Sequence, residues 1–159
     1  LLSRGLGDVY KRQLLARIRC PDELFAVDWM KPTYGDPAYI VRDIYRSENG
    51  WWDRNPTSLH PEPPEAVGQA VAEAITDKAG LIARARALAR QGQWQLALHV
   101  IDLLATARGD APELAEARAL KAEWLRQRAR QVPSYVSRNL YRVSADMIEQ
   151  GTQARFGIQ

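Results

Sequence analysis

A single cysteine, Cys20, occurs in the 159 residues of this chain. One thiol excludes an intrachain disulfide and any Cys-x-x-Cys metal site, and it leaves cytoplasm and periplasm equally open as compartments. Histidine is nearly as scarce, with only His60 and His99, and no His-x-His string sets two imidazoles side by side for a metal. His60 lies in a loop between Leu59 and Pro61, and His99 falls off the apolar stripe of its own helix, so His99 reads as solvated. There is no Gly-x-Ser-x-Gly, no phosphate loop and no dinucleotide fingerprint. No apolar run approaches the roughly 20 residues that span a bilayer, so no membrane span is expected. The N-terminus also lacks an apolar stretch ahead of a small-residue cleavage site. From the residues alone, the chain nominates no catalytic residue, no metal ligand and no cofactor.

What is present is ordinary globular material: 46% hydrophobic and 26% charged residues in 18.0 kDa, enough for one domain with a core or for a piece of something longer. The net charge of +3 is mostly local, because Arg4, Lys11 and Arg12 against Asp8 give residues 1–13 a net +2 and leave +1 for the remainder. A near-neutral body is not the footprint of a nucleic-acid-binding protein. Arg84, Arg86 and Arg90, and likewise Arg126, Arg128 and Arg130, read as solvated helix faces diluted by nearby carboxylates. Asp28, Asp43, Glu48 and Asp53 fall near the aromatic region, where helix caps and surface pairs account for most such carboxylates.

Residues 1–13 do not read like the rest. Their Ser-Arg-Gly-Leu-Gly-Asp-Val-Tyr-Lys-Arg-Gln string is similar to translated sequencing-adapter DNA, which makes the segment a non-native scar; a disordered natural tail is the alternative. From Leu14 onward the text is helical. Pro21-Asp22-Glu23 opens a short helix that Lys31-Pro32 ends. Asp36-Pro37 is a cap-and-start signal, Ile40, Val41, Ile44 and Tyr45 then share one face, and Asn49-Gly50 stops the helix. Pro63-Pro64-Glu65 starts another, with Val67, Val71, Ala74 and Ile75 as its expected buried stripe. Lys78 to Arg90 follows with Leu81, Ala85, Leu88 and Ala89 inward, and Gly92 as the terminating residue. Trp94, Ala97, Leu98, Ile101, Leu104 and Ala105 keep helical period without a miss. Asp110-Ala111-Pro112-Glu113 reads as a capping box, with Leu114, Ala117, Leu120, Lys121, Trp124 and Leu125 on one face beyond it. After Pro133-Ser134, the residues Val136, Leu140, Val143 and Met147 form a last seam. The expected fold class is all-α, an antiparallel helical bundle.

Between the second and third of these helices runs Gly50-Trp51-Trp52-Asp53-Arg54-Asn55-Pro56-Thr57-Ser58-Leu59-His60-Pro61. Pro56, Pro61, Pro63 and Pro64 forbid regular helix and fix φ at several points, so the segment is a stiff loop holding two tryptophans. Those tryptophans cap either the chain's own core or a partner's surface. Downstream, Arg90 to Leu98 and Ala111 to Trp124 resemble the tetratricopeptide pattern. About one and a half such units fit, fewer than the three or so a solenoid needs, so helix hairpins within a larger body are the better reading.

The strings Tyr34-Gly35-Asp36-Pro37, Val41-Arg42-Asp43-Ile44-Tyr45, Gly50 to Pro56 and Leu59-His60-Pro61-Glu62-Pro63-Pro64 resemble the dimerisation domain of the metallo-β-lactamase-fold alkyl sulfatases. Gln91 to Leu98, Glu116 to Leu120 and Ser137-Arg138-Asn139-Leu140-Tyr141 match its later part, so the resemblance spans residues 20–150. Arg54 departs from it, standing where the family has Gly, which implies a position without need of positive φ. The resemblance implies a helical domain, residues 14–150 with a frayed tail at 151–159, that pairs two subunits. It also implies an N-terminal catalytic domain, absent here, that holds two zinc ions through a His-x-His-x-Asp-His motif and hydrolyses alkyl sulfate esters. On this reading the chain is part of a truncated enzyme and does not catalyse alone. Its partners are a second copy of itself and the missing catalytic domain. The implied interface residues are the clasp loop (Tyr45, Trp51, Trp52, Asp53, Asn55, Pro56, Leu59 and His60) and the seam Val136, Leu140, Val143 and Met147. The loop would lock the pair or reach toward the catalytic cleft. The other reading is a small tetratricopeptide-like adaptor that binds a peptide, and the shortage of repeats counts against it.

Overall fold

The computed structural model describes residues 21–151, and the expectations for residues 1–13 and for the tail beyond Gly151 lie outside them. The elements are α1 (Asp22–Phe25), a 3-10 turn (Asp28–Met30), α2 (Pro37–Asn49), a second 3-10 turn (Pro56–Leu59), α3 (Pro64–Ala74), α4 (Lys78–Arg90), α5 (Trp94–Ala105), α6 (Pro112–Gln131) and α7 (Tyr135–Glu149). Among the described residues there is no strand, and the all-α reading holds. No described helix is long and apolar enough to cross a membrane. The described residues fall into two compact units, one of residues 21–61 with Pro133–Val136, the other of Glu62–Val132 with residues 137–151.

The second unit holds the core. α5 packs on both α4 and α6, and α3 packs on α5. The periodicity places Ala85, Leu88 and Ala89 of α4 inward as expected, with Ile82 buried in place of the expected Leu81, which is only partly buried; α5 contributes Ala97, Leu98, Ile101 and Leu104. Asp77 caps α4 by accepting from the Gly80 N–H at 2.7 Å. Gly92, at φ +75°, turns the chain into α5. From α6 come Leu114, Ala117, Leu120, Ala122, Trp124 and Leu125. Among the described residues, nine of the eighteen buried apolar ones are alanine, so these helices approach closely and the buried Trp124 fills space that the small side chains leave.

Two local expectations are corrected. The inward face of α3 is Gly68 and Ala72, with Val71 and Ile75 flanking it, whereas Val67 is half exposed. A Cβ on Gly68 would stand 2.7 Å from Thr106 Oγ1 and 3.1 Å from its carbonyl carbon, so the helix crosses at the residue with no side chain. α6 begins at Pro112 with Ala111 at the cap and no side-chain cap bond, so Asp110 and Glu113 do not form a capping box. Proline at the first position needs no donor partner there and sets Asp110 one residue too early to reach the helix.

Ion pairs bind the helix surfaces within this unit. Arg86 meets Glu116 at 2.8 Å and Lys121 meets Asp102 at 2.7 Å, both partly exposed and therefore of modest worth. Arg118 has a larger structural task, because its guanidinium donates to Ala107 O at 3.1 Å and Gly109 O at 2.7 Å and so ties down the loop ahead of α6. α7 contributes Ala145, Tyr141 and Ile148 to the core. It is bridged to α6 by Arg126, which donates to Asp146 at 2.7 Å and forks onto Glu149.

Two outcomes follow from these contacts. Gly68→Val is expected to cost about 2 kcal/mol through overpacking against Thr106, with a smaller cost in a Thr106→Ala background, as thermal unfolding of both variants would show. The hydrogen bond from Arg126 holds the Glu149 carboxyl below its ordinary 4.5. A carboxyl lowered in the folded state contributes stability above its unfolded value and loses it as pH falls through the folded one. Glu149→Gln is therefore expected to leave a shallower loss of stability below about pH 4.5 than the parent shows, by acid titration at low salt.

Candidate functional site

The first unit is built differently, since α2 contains no buried residue. Its start is well specified: Asp36 Oδ1 accepts from Ala38 N–H at 2.9 Å and Pro37 occupies the first turn. Ile40 and Ile44 lie one turn apart on the same face, and they are 59% and 58% exposed. Val41 and Tyr45 are half-buried. Much of the apolar side of this amphipathic helix, Ile40 and Ile44 above all, therefore stands in water. Trp29 and Tyr34 are also strongly exposed.

Gly50, at φ +80°, closes α2 by donating to Arg46 O at 2.8 Å and sends the chain into the tryptophan loop. Asp53 organises that loop, accepting from Asn55 N–H at 2.9 Å through one oxygen and from the Ser58 hydroxyl at 2.8 Å through the other. Asn55 accepts from Thr57 N–H at 3.2 Å and caps the short turn that Pro56 begins. The Trp52 indole N–H donates to Asn55 O at 3.0 Å, and the Arg54 guanidinium lies over its ring at 5.4 Å. Trp52 is thereby held by its own loop, whereas Trp51 points away and is 65% exposed. Pro56, Leu59 and His60 are exposed as well. Arg54 corrects the expectation drawn from its departure, because it sits at φ +72°. The turn keeps its left-handed residue whether or not that residue is glycine, and the strain is offset by the Asp53 and Trp52 contacts.

One contact of this unit joins residues a hundred positions apart. The Ser134 hydroxyl donates to Tyr34 O at 2.9 Å and Ser134 is fully buried. The first two N–H groups of α7 donate to Thr33 O at 2.5 Å and Tyr34 O at 3.1 Å, while the Tyr34 and Tyr135 rings stack at 6.4 Å. Residues 33 and 34 thus serve as a cap for the orphan donors of α7. Tyr135 and Ser134 were not legible as functional candidates, since a break before a helix does not say which distant carbonyls satisfy it.

On α7 itself, Leu140 and Val143 are exposed and Val136 and Met147 half-buried. The residues that α7 turns to the core of the second unit are others, Tyr141, Ala145 and Ile148. Among the described residues, no group of three or more His, Cys, Asp or Glu side chains stands close enough to hold a metal ion. What the two surfaces offer is apolar contact area with stiff backbone beneath it.

The sequence model for alkyl sulfatase dimerisation matches residues 11–151. The chain belongs to the alkyl sulfatase dimerisation family. An alkyl/aryl-sulfatase of Saccharomyces cerevisiae, BDS1, is 29% identical over 155 residues, which are 98% of this chain and 23% of that protein. An (R)-specific secondary-alkylsulfatase of Pseudomonas sp. is 28% identical over 152 residues, 95% of this chain and 22% of the relative. The chain therefore spans less than a quarter of the length of the curated relatives it matches. Among solved structures, the stereoselective inverting sec-alkylsulfatase Pisa1 of Pseudomonas sp. superposes with a TM-score of 0.72 at 24% identity, over 94% of this chain and 25% of that one, a likeness of fold.

The left-handed Arg54 gives a direct test of the loop. Arg54→Gly is expected to leave stability unchanged or raise it by up to about 1 kcal/mol, whereas Arg54→Val, which disfavours positive φ most, is expected to lose at least about 1 kcal/mol. Chemical denaturation with Trp fluorescence as the readout separates the two.

Proposed function

We propose that this chain is the pairing segment of an alkyl sulfatase, joining two copies of itself through the exposed apolar face of α2 and the tryptophan loop, with the α7 seam as a further contact. The observation behind this reading is Ile40, Ile44 and Trp51 standing more than half exposed in a family described by dimerisation. A two-fold interface counts every residue twice. Burying the exposed fraction of these three side chains on both copies stabilises the pair by roughly 5–10 kcal/mol. Association itself costs about 4–15 kcal/mol, so this patch alone gives a dimer that depends on concentration, and the exposed Trp29, Tyr34 and Leu59 of the same unit would strengthen it.

The hydrolysis of sulfate esters, and the two zinc ions that go with it, we assign to a catalytic domain outside this sequence. The described residues offer no ligand set that fits zinc, so no chemical step is derived from them. In the assembled enzyme the clasp loop would either lock the pair or lie toward that cleft, and its rigid Asp53–Asn55–Ser58 hydrogen bonding suits either task.

Sedimentation velocity of the 159-residue chain is expected to show monomer and dimer in exchange. The Ile44→Ala/Trp51→Ala variant should dissociate about 100-fold more readily with its helical circular dichroism unchanged. A parent chain that stays monomeric at high micromolar concentration would sink the reading, as would a double variant that dimerises like the parent.

A further inference from the structure

A cleft of about 520 Å³ opens between the end of α6 and the first half of α7, lined by Arg126, Ala129, Arg130, Arg138, Arg142 and Asp146. The arginines come as two pairs at helical i,i+4 spacing, Arg126 with Arg130 on α6 and Arg138 with Arg142 on α7. Like charges at that spacing oppose helix formation, and here two such pairs face one space. Asp146 and the adjoining Glu149 are both engaged by Arg126, which leaves the lining with an excess of positive charge. The Arg126 guanidinium is held firmly protonated by the hydrogen bonds it donates to Glu149 and Asp146, so this side chain serves as a fixed post rather than a mobile one. None of this charge is used by the apolar surfaces proposed for pairing.

We infer that this cleft is a binding site for a tetrahedral oxyanion, sulfate or phosphate, taken from solution. A guanidinium presents two parallel N–H donors at the spacing of two oxygens, and the exposed Arg130 and Arg142, one from each helix, supply two such forks and the charge that a dianion calls for. The size of the cleft fits one hydrated ion of this kind, and an extended nucleic-acid strand would need a longer basic track. The ion would relieve the repulsion between the two helices and hold the end of α6 to α7. The inference is independent of the pairing role, since it concerns different residues and needs no second copy.

The test is a titration of the ¹⁵N-labelled 159-residue chain with sodium sulfate, with sodium phosphate, and with sodium chloride at matched ionic strength. Saturable shifts of amides around residues 126–146 with either oxyanion, and none with chloride, are expected; the ratio of the two affinities says which oxyanion is preferred. Arg130→Gln is expected to weaken binding about tenfold and Arg130→Lys by less, because lysine keeps the charge and loses the fork. Arg142→Gln should act like Arg130→Gln, and agreement between these two exposed positions guards against a variant that merely misfolds. Equal shifts with chloride, or an Arg130→Gln chain that binds like the parent, would overturn the assignment.

Discussion

Close approach of α4, α5 and α6 through small residues is the constraint on which the second unit rests. Ala85, Ala97, Ala117 and Ala122 are wholly inaccessible, and they let larger side chains such as Ile101, Leu104 and Trp124 interdigitate between helix axes. Gly68 extends the same device to α3, which crosses α5 at Thr106. Arg118 and the pair Lys121–Asp102 then fasten the periphery at atoms that remain partly wet. The consequence is a body with its own apolar core, although Val67, Leu96, Leu103, Leu140 and Val143 stay exposed at its surface.

The first unit lacks that device. Among its described residues it has no alanine-lined crossing, no residue of α2 is fully buried, and the fully buried side chain there is a serine held by a distant carbonyl. Its stiffness comes instead from local bonds: the Asp36 cap, the Asp53 and Asn55 turns, and two carbonyls that cap α7. Rigid backbone beneath exposed Ile40, Ile44 and Trp51 reduces the entropy lost on association, which is what an interface needs and a core does not. These features of the first unit are the physical ground for the pairing proposed above.

Legibility followed the strength of the periodic signal. α4, α5 and the long α6 were readable because many residues agree on one face, and both Asp36 and Gly92 act as their types suggest. The α3 face slipped by one residue because a glycine marks a helix crossing only when its neighbour is known. The capping box failed because Pro112 decided the first turn. Arg54 was misread because a residue's type says what it prefers, while its φ is set by Asp53, Asn55 and Trp52 around it. The pairing of Thr33 and Tyr34 with the start of α7 links residues a hundred apart, which no local pattern encodes.

The central claim is that the apolar face of residues 37–60 is covered by a second copy of the chain. Hydrogen–deuterium exchange at protein concentrations well above and well below dissociation tests it most directly. Amides of residues 37–60 should slow markedly at the higher concentration, while those of α4, α5 and the middle of α6 exchange slowly at both. Protection of residues 37–60 that is independent of concentration would contradict the account, as would a concentration effect confined to the second unit.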